Sequence, residues 1–166
     1  MADPRKRRHD GSALTDAPWR IRAAAPADAP AIAAIERRSF NDPWSEASFR
    51  EAMRASWSFG LVLESDESIV GYLIAREVAG SGEVLNLAVD PPFRRRGVAR
   101  ALLDAGLDTL RRRGAGEVFL EVRASNAAGQ SLYGGCGFAE VARRTDYYRS
   151  PLEDALVLRL ALGPPR

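Results

Sequence analysis

The chain of 166 residues contains one cysteine, one histidine and one lysine. Cys136 alone can form no internal disulfide and no cysteine-rich zinc site. His9 lies near the N-terminus, so neither a Ser-His-Asp nor a Cys-His arrangement can be assembled in the rest of the chain, and direct group transfer is favoured over covalent catalysis. No metal is expected. No apolar run approaches the ~18 residues that a membrane span needs, and the basic stretch Arg5-Lys6-Arg7-Arg8 is followed by no apolar segment of a secretory signal. These absences imply a soluble protein of the reducing cytoplasm, with no membrane partner. The cations other than Lys6 are all arginine, and 24 basic against 22 acidic side chains leave a net charge of +2. No aromatic residues interleave the arginine runs, so direct nucleic-acid binding is not expected.

An apolar fraction of 46% is enough for one core in a chain too short for two ordinary domains. Residues 1–18 mix a basic cluster with Asp, Gly and Pro and have no periodicity, so they are expected to form a disordered basic tail, with a folded domain over residues 19–163. Trp19-Arg20-Ile21-Arg22-Ala23 alternates as a strand, and Pro26 and Asp28 then open a helix through Ala31–Ile35. Ser45 caps a second helix running to about Ala55, with Phe49 and Met53 toward the core. Strands are predicted over Trp57–Glu64, Ser68–Val78 and Glu83–Val89, separated by the turns Ser65-Asp66-Glu67 and Ala79-Gly80-Ser81-Gly82. Gly97–Arg113 is the clearest helix, with Ala99, Leu102, Leu103, Gly106 and Leu110 on one face. Glu117–Arg123 alternates as a strand, Asn126 caps a short helix ending at Gly134-Gly135, and strands follow over Phe138–Asp146 and Ala155–Leu162. The order βααβββαβαββ specifies an α+β domain: a mixed, mostly antiparallel sheet flanked by helices.

The string Arg94-Arg95-Arg96-Gly97-Val98-Ala99 lies between a strand and an amphipathic helix. A glycine at the mouth of a helix lets the backbone approach a phosphate, and the unpaired N–H groups of the first turn attract its charge. Flanking guanidinium groups suit a pyrophosphate. Neither a Walker loop nor a G-x-G-x-x-G fingerprint is present. Taken alone the string also fits a solvated loop with a turn glycine.

In its position after Asn86-Leu87-Ala88-Val89-Asp90-Pro91, the string resembles the [Gln/Arg]-x-x-Gly-x-[Gly/Ala] acyl-CoA loop of GNAT acetyltransferases. Arg94 and Ala99 stand where that family often has Gln and a second Gly. The resemblance continues through Leu120-Glu121-Val122-Arg123-Ala124-Ser125-Asn126, Leu132-Tyr133, Gly137-Phe138 and Tyr147-Tyr148. With Pro43-Trp44-Ser45-Glu46, it is similar to the RimI type, bacterial enzymes that acetylate the N-terminal alanine of a small-subunit ribosomal protein. The resemblance implies acetyl-CoA as co-substrate. Leu87, Ala88 and Val89 would offer backbone contacts to its acetyl-pantetheine arm, and Arg95, Arg96, Gly97, Val98, Ala99 and Arg100 would cradle its pyrophosphate. Asn126 would also contact it.

Acetyl transfer to an amine needs a base, oxyanion donors and an acid for the leaving thiolate. The resemblance makes Glu121 the general base, with apolar neighbours such as Phe119 around it, and Tyr133 the acid. The residues alone leave Glu121 open as a surface carboxylate paired to Arg123, and Tyr133 as a core aromatic beside Leu132. A bulge at Asn86 would free backbone donors around Leu87–Val89. The implied acceptor is the N-terminus of a protein, held between the Pro43-Trp44-Ser45 loop and the segment Tyr147-Tyr148 to Glu153-Asp154. Alternatives on the same fold are a small-molecule amine or antibiotic acetyltransferase and a non-catalytic acyl-CoA-binding module. Cys136 reads as a small packing residue. Nothing in the sequence sets the oligomeric state.

Overall fold

A computed structural model describes residues 19–164; the expected tail, residues 1–18, lies outside the described residues. In chain order the elements are β1 (Trp19–Ala23), α1 (Ala29–Ser39), α2 (Glu46–Arg54), β2 (Ser58–Ser65), β3 (Ser68–Val78), β4 (Ser81–Val89), α3 (Val98–Arg112), β5 (Glu117–Arg123), α4 (Ala127–Gly135), β6 (Ala139–Arg149) and β7 (Leu152–Ala161). Short 3₁₀ turns at Pro26–Asp28 and Pro91–Phe93 lead into α1 and toward α3. The order and type of elements are those expected from the sequence. Among the described residues, no helix is long and apolar enough to cross a membrane.

The strands form one seven-stranded sheet in the order β1-β2-β3-β4-β5-β7-β6. Every neighbouring pair is antiparallel except β4–β5. The first two hairpins turn more tightly than their sequences suggest: Ser65 pairs with Ser68 and Val78 with Ser81. Asp66, Glu67, Ala79 and Gly80 take positive φ, the two-residue geometry whose twist matches the strands. Strand β4 therefore starts at Ser81, two residues before the expected Glu83.

Helices cover the sheet on both sides. Ile32, Ile35 and Phe49 of α1 and α2 pack on Val62, Tyr72, Ile74 and Ala88. On the other face Leu102, Leu103, Leu107 and Leu110 of α3 pack on Leu63, Leu73, Val118 and Leu120. The α3 stripe is the predicted one, with Val98 and Leu107 joining it and Ala99 only half-buried. Gly106 lets α3 lie close to the sheet, since a Cβ there would meet Leu73 Cδ1 at 2.9 Å. The Ser45 cap is present, with its Oγ accepting from the Ser48 N–H at 3.1 Å.

Candidate active site

The parallel pair is where the sheet comes apart. Strands β4 and β5 pair only from Ser81 opposite Glu117 to Val84 opposite Leu120. One residue later β4 bulges: Ile74 pairs with Asn86 and Ala75 with Val84, leaving Leu85 unopposed. A bulge bends its strand, and β5 meanwhile follows β7, with Glu121 opposite Val157 and Arg123 opposite Ala155. The bulge thus falls on Leu85, one residue before Asn86. A cleft opens between the diverging strands, lined among others by Leu87, Glu121, Asn126 and Tyr133.

The alternation of an antiparallel ladder fixes which backbone groups face that cleft. The Asp90 N–H donates to Val70 O at 2.8 Å, so Ala88 and Asn86 bond back to β3 while Leu87 and Val89 turn toward β5. The Val89 carbonyl accepts from Arg94 Nε at 2.9 Å. Leu87 lines the cleft; Ala88 is buried at the back of the strand.

Past the bulge, β4 runs on into the loop that opens α3. Arg95 (φ 62°) and Gly97 (φ 82°) both take left-handed backbone, and Gly97 is the N-cap residue of this 15-residue helix. Space around Gly97 is open, with nothing within 4 Å of a built Cβ. Arg94 anchors the loop through Val89 O and Ser39 Oγ. Arg96 lies over the Phe93 ring, and Arg100 pairs with Asp104 at 3.1 Å. Val98 is buried in the core, fixing the helix start. Helix N–H groups, an open approach and arginine side chains together fit the pyrophosphate of a coenzyme A thioester. Asn126 is the N-cap of α4, accepting from the Gly129 N–H at 2.9 Å, and also borders the cleft.

Glu121 and Tyr133 approach the cleft from opposite faces of the sheet. Val118, Leu120 and Val122 are buried in the α3 core, so alternation directs Glu121 to the α1–α2 face. There one carboxylate oxygen lies 2.6 Å from Arg144 Nε, not against Arg123. Glu121 also raises the Tyr147 phenol above its ordinary value. An arginine and a phenol thus stand beside Glu121, on the strand face it shares with Phe119. A break in the β6–β7 register between Arg144 and Tyr148 brings these side chains round to β5. Tyr133 packs on the α3 side with its ring 5.9 Å from that of Phe138. Burial, with Tyr148 nearby, pushes its phenol up to about 12.

The α1–α2 loop and the segment leading into β7 meet across the cleft. Arg123 lies 4.1 Å over the Tyr148 ring and reaches Asp42 at 3.2 Å and Glu153 at 3.4 Å, while Asn41 donates to Ser150 O at 3.2 Å. Tyr148 is pushed up to about 12 by burial and by Glu121. One residue absent from the sequence reading, Glu36, also lines the cleft, and it is only 2% exposed. Its carboxylate accepts from Asn86 Nδ2 at 2.9 and 3.0 Å, from the Trp44 N–H at 3.1 Å and from the Tyr72 hydroxyl. The signal for it was a carboxylate four residues after Ile32, on the apolar stripe of α1.

The chain is similar to known proteins in both sequence and fold. Residues 29–138 match the Acetyltransferase (GNAT) family. The chain is 38% identical over 138 residues to the ribosomal protein bS18-alanine N-acetyltransferase of Salmonella typhimurium, spanning 82% of this chain and 93% of that one. It is 35% identical over 154 residues to the N-alpha-acetyltransferase RimI of Mycobacterium tuberculosis, spanning 89% and 96%. The crystal structure of the ribosomal-protein-S18-alanine N-acetyltransferase from Escherichia coli matches it with a TM-score of 0.82 at 35% identity, over 87% of this chain and 94% of that one.

Proposed function

The chain belongs to the GNAT family of acetyltransferases, and on that footing we propose that it acetylates the N-terminal α-amine of a protein in the cytoplasm, using acetyl-CoA. By its likeness to the Salmonella and Escherichia enzymes, the acceptor is the N-terminal alanine of ribosomal protein bS18. The observation that carries the reading is the bulged, splayed β4–β5 cleft, lined by both Glu121 and Tyr133, with β4 running on toward the glycine-capped start of α3.

Acetyl-CoA supplies an acetyl group activated as a thioester. The Arg95–Arg100 loop binds the pyrophosphate, and the inward-facing N–H groups of Leu87 and Val89 are the donors for the carbonyl oxygen and pantetheine arm. Asn126 borders the same path. Glu121 receives a proton from the incoming ammonium, directly or through water, while Arg144 holds its carboxylate in place beside Tyr147. Tyr133 keeps its proton at neutral pH and presents it at Oη toward the departing sulfur. One proton leaves with each turnover, because the ammonium gives up two and the thiol takes one.

The α-amine is favoured over lysine because it titrates at about 7.7–8.0 against about 10.4, so a single carboxylate has much less deprotonation work to do near neutrality. Assaying the purified protein against hexapeptides beginning with Ala, Ser or Met, free lysine, polyamines and aminoglycosides tests the assignment. Ala-starting peptides should be modified at the α-amine. Efficient acetylation of polyamines or aminoglycosides, with those peptides untouched, would overturn it.

A further inference from the structure

We propose that Glu36 is a positioning residue of this cleft: its carboxylate fixes the α1–α2 loop, the wall along which the acceptor enters, against the bulged part of β4. The assignment of that wall rests on the acceptor reading above. A glutamate that is 2% exposed is costly unless every lone pair is used, and here the donors come from three separate elements. Oε1 takes the Trp44 N–H and one contact from Asn86, and Oε2 takes the second Asn86 contact and the Tyr72 hydroxyl.

The three partners are not equally dependent on Glu36. Tyr72 and Asn86 lie on strands already held by the β3–β4 ladder, which continues on both sides of the bulge. Trp44 lies in no such ladder, because residues 40–45 form neither helix nor strand, and its other interior contacts are apolar: its ring lies 5.4 Å from that of Phe49 and, with Phe40, it packs on the α1–α2 core. On its far side, among the described residues, the loop's polar ties are exposed, Asn41 to Ser150 and Asp42 to Arg123. Such exposed contacts hold weakly. Beside that apolar packing, the bond from the Trp44 N–H to Glu36 is the polar tie that sets the loop's position against β4. Phe40, Asp42 and Trp44 line the cleft with Glu36, so releasing this tie moves the acceptor wall and leaves the β4 floor and the α3 phosphate loop in place.

Glu36→Ala and the near-isosteric Glu36→Gln test this, with Ile32→Val on the same buried helix face as a control for loss of stability. We expect Glu36→Ala to raise the acceptor KM about ten-fold or more, as misplacement of a binding wall does. Glu36→Gln should fall between it and the wild type. The acetyl-CoA Kd from calorimetry should stay within about two-fold, since the cofactor loop is untouched. Hydrogen exchange should accelerate over residues 40–45 in Glu36→Ala and not in Ile32→Val. Exchange that is unchanged, or that rises equally across β3 and β4, would refute the proposal, as would a Kd that worsens as much as the KM. The exchange and calorimetry readouts require no peptide turnover, so a wild-type enzyme inactive on peptides would defeat the acceptor reading while still deciding the role of Glu36.

Discussion

Replacing Gly97 separates the two properties of the loop proposed to hold the pyrophosphate, its backbone and its charge. Gly97 sits at φ 82°, where an L-residue pays about 1–2 kcal/mol, and Asp tolerates this region better than Ala does. Space is not an obstacle, since a Cβ meets nothing within 4 Å. If backbone strain alone mattered, Gly97→Ala would be the more damaging change. A carboxylate at the N-cap also faces the phosphates: one unit charge ~5 Å from another at an effective dielectric of ~20 costs ~3 kcal/mol. Screening at this exposed position lowers that to roughly 1.5–3 kcal/mol, a weakening of about ten- to hundred-fold. Calorimetry with acetyl-CoA should thus rank wild type tightest, Gly97→Ala next and Gly97→Asp weakest. Added salt should narrow the gap between the two variants, whereas the thermal stability of Gly97→Asp should equal or exceed that of Gly97→Ala. An unchanged Kd in Gly97→Asp, or equal weakening in both variants, would show that no phosphate binds at this helix start.

Two further changes address the chemistry. Glu121→Gln should leave the acetyl-CoA Kd near the wild-type value while kcat falls, because an amide cannot take the ammonium proton; stopped-flow turnover at wild-type speed would return Glu121 to a structural role. Tyr133→Phe should slow acetyl transfer by about 10²-fold with the fold intact, and an undiminished kcat would leave Tyr133 as a core aromatic only. The same variant has a signature in stability. The Tyr133 phenol is raised in the folded state from 10.0 to about 12, so its contribution is fully present below pH 10 and is lost as the pH rises through 12. Denaturant titrations across that window should therefore show a shallower alkaline loss for Tyr133→Phe than for the wild type, and parallel curves would contradict the burial of the phenol.

Much of this protein is written locally. The 3.6-residue stripe of α3, the Ser45 and Asn126 caps and the alternation of β5 are set by side chains within a few positions of one another, and each was legible in the sequence. So was the glycine at the start of α3, because a helix mouth is a local feature and its attraction for phosphate depends on backbone groups that any sequence supplies. The candidate pair Glu121 and Tyr133 was legible through the motif. Alternation put Glu121 on a strand face, while nothing local said which charges would meet it.

What tertiary structure decided is where distant segments touch. The arginine beside Glu121 is Arg144, on β6, because the register break there brings residues 144–148 round to β5. The bulge falls on Leu85 through the pairing of β4 with β3, a register choice made between strands and invisible in either one. Glu36 gained its place from Asn86, 50 residues away, and from the fold of its own helix onto Tyr72. Sequence alone determined the elements, their order and the chemistry available, since propensity, periodicity and capping act over one or two turns. The cleft itself, and which carboxylate faces which partner within it, came only with the closing of the sheet, because side chains far apart in the chain interact only after strand register and helix packing have brought them within hydrogen-bonding distance.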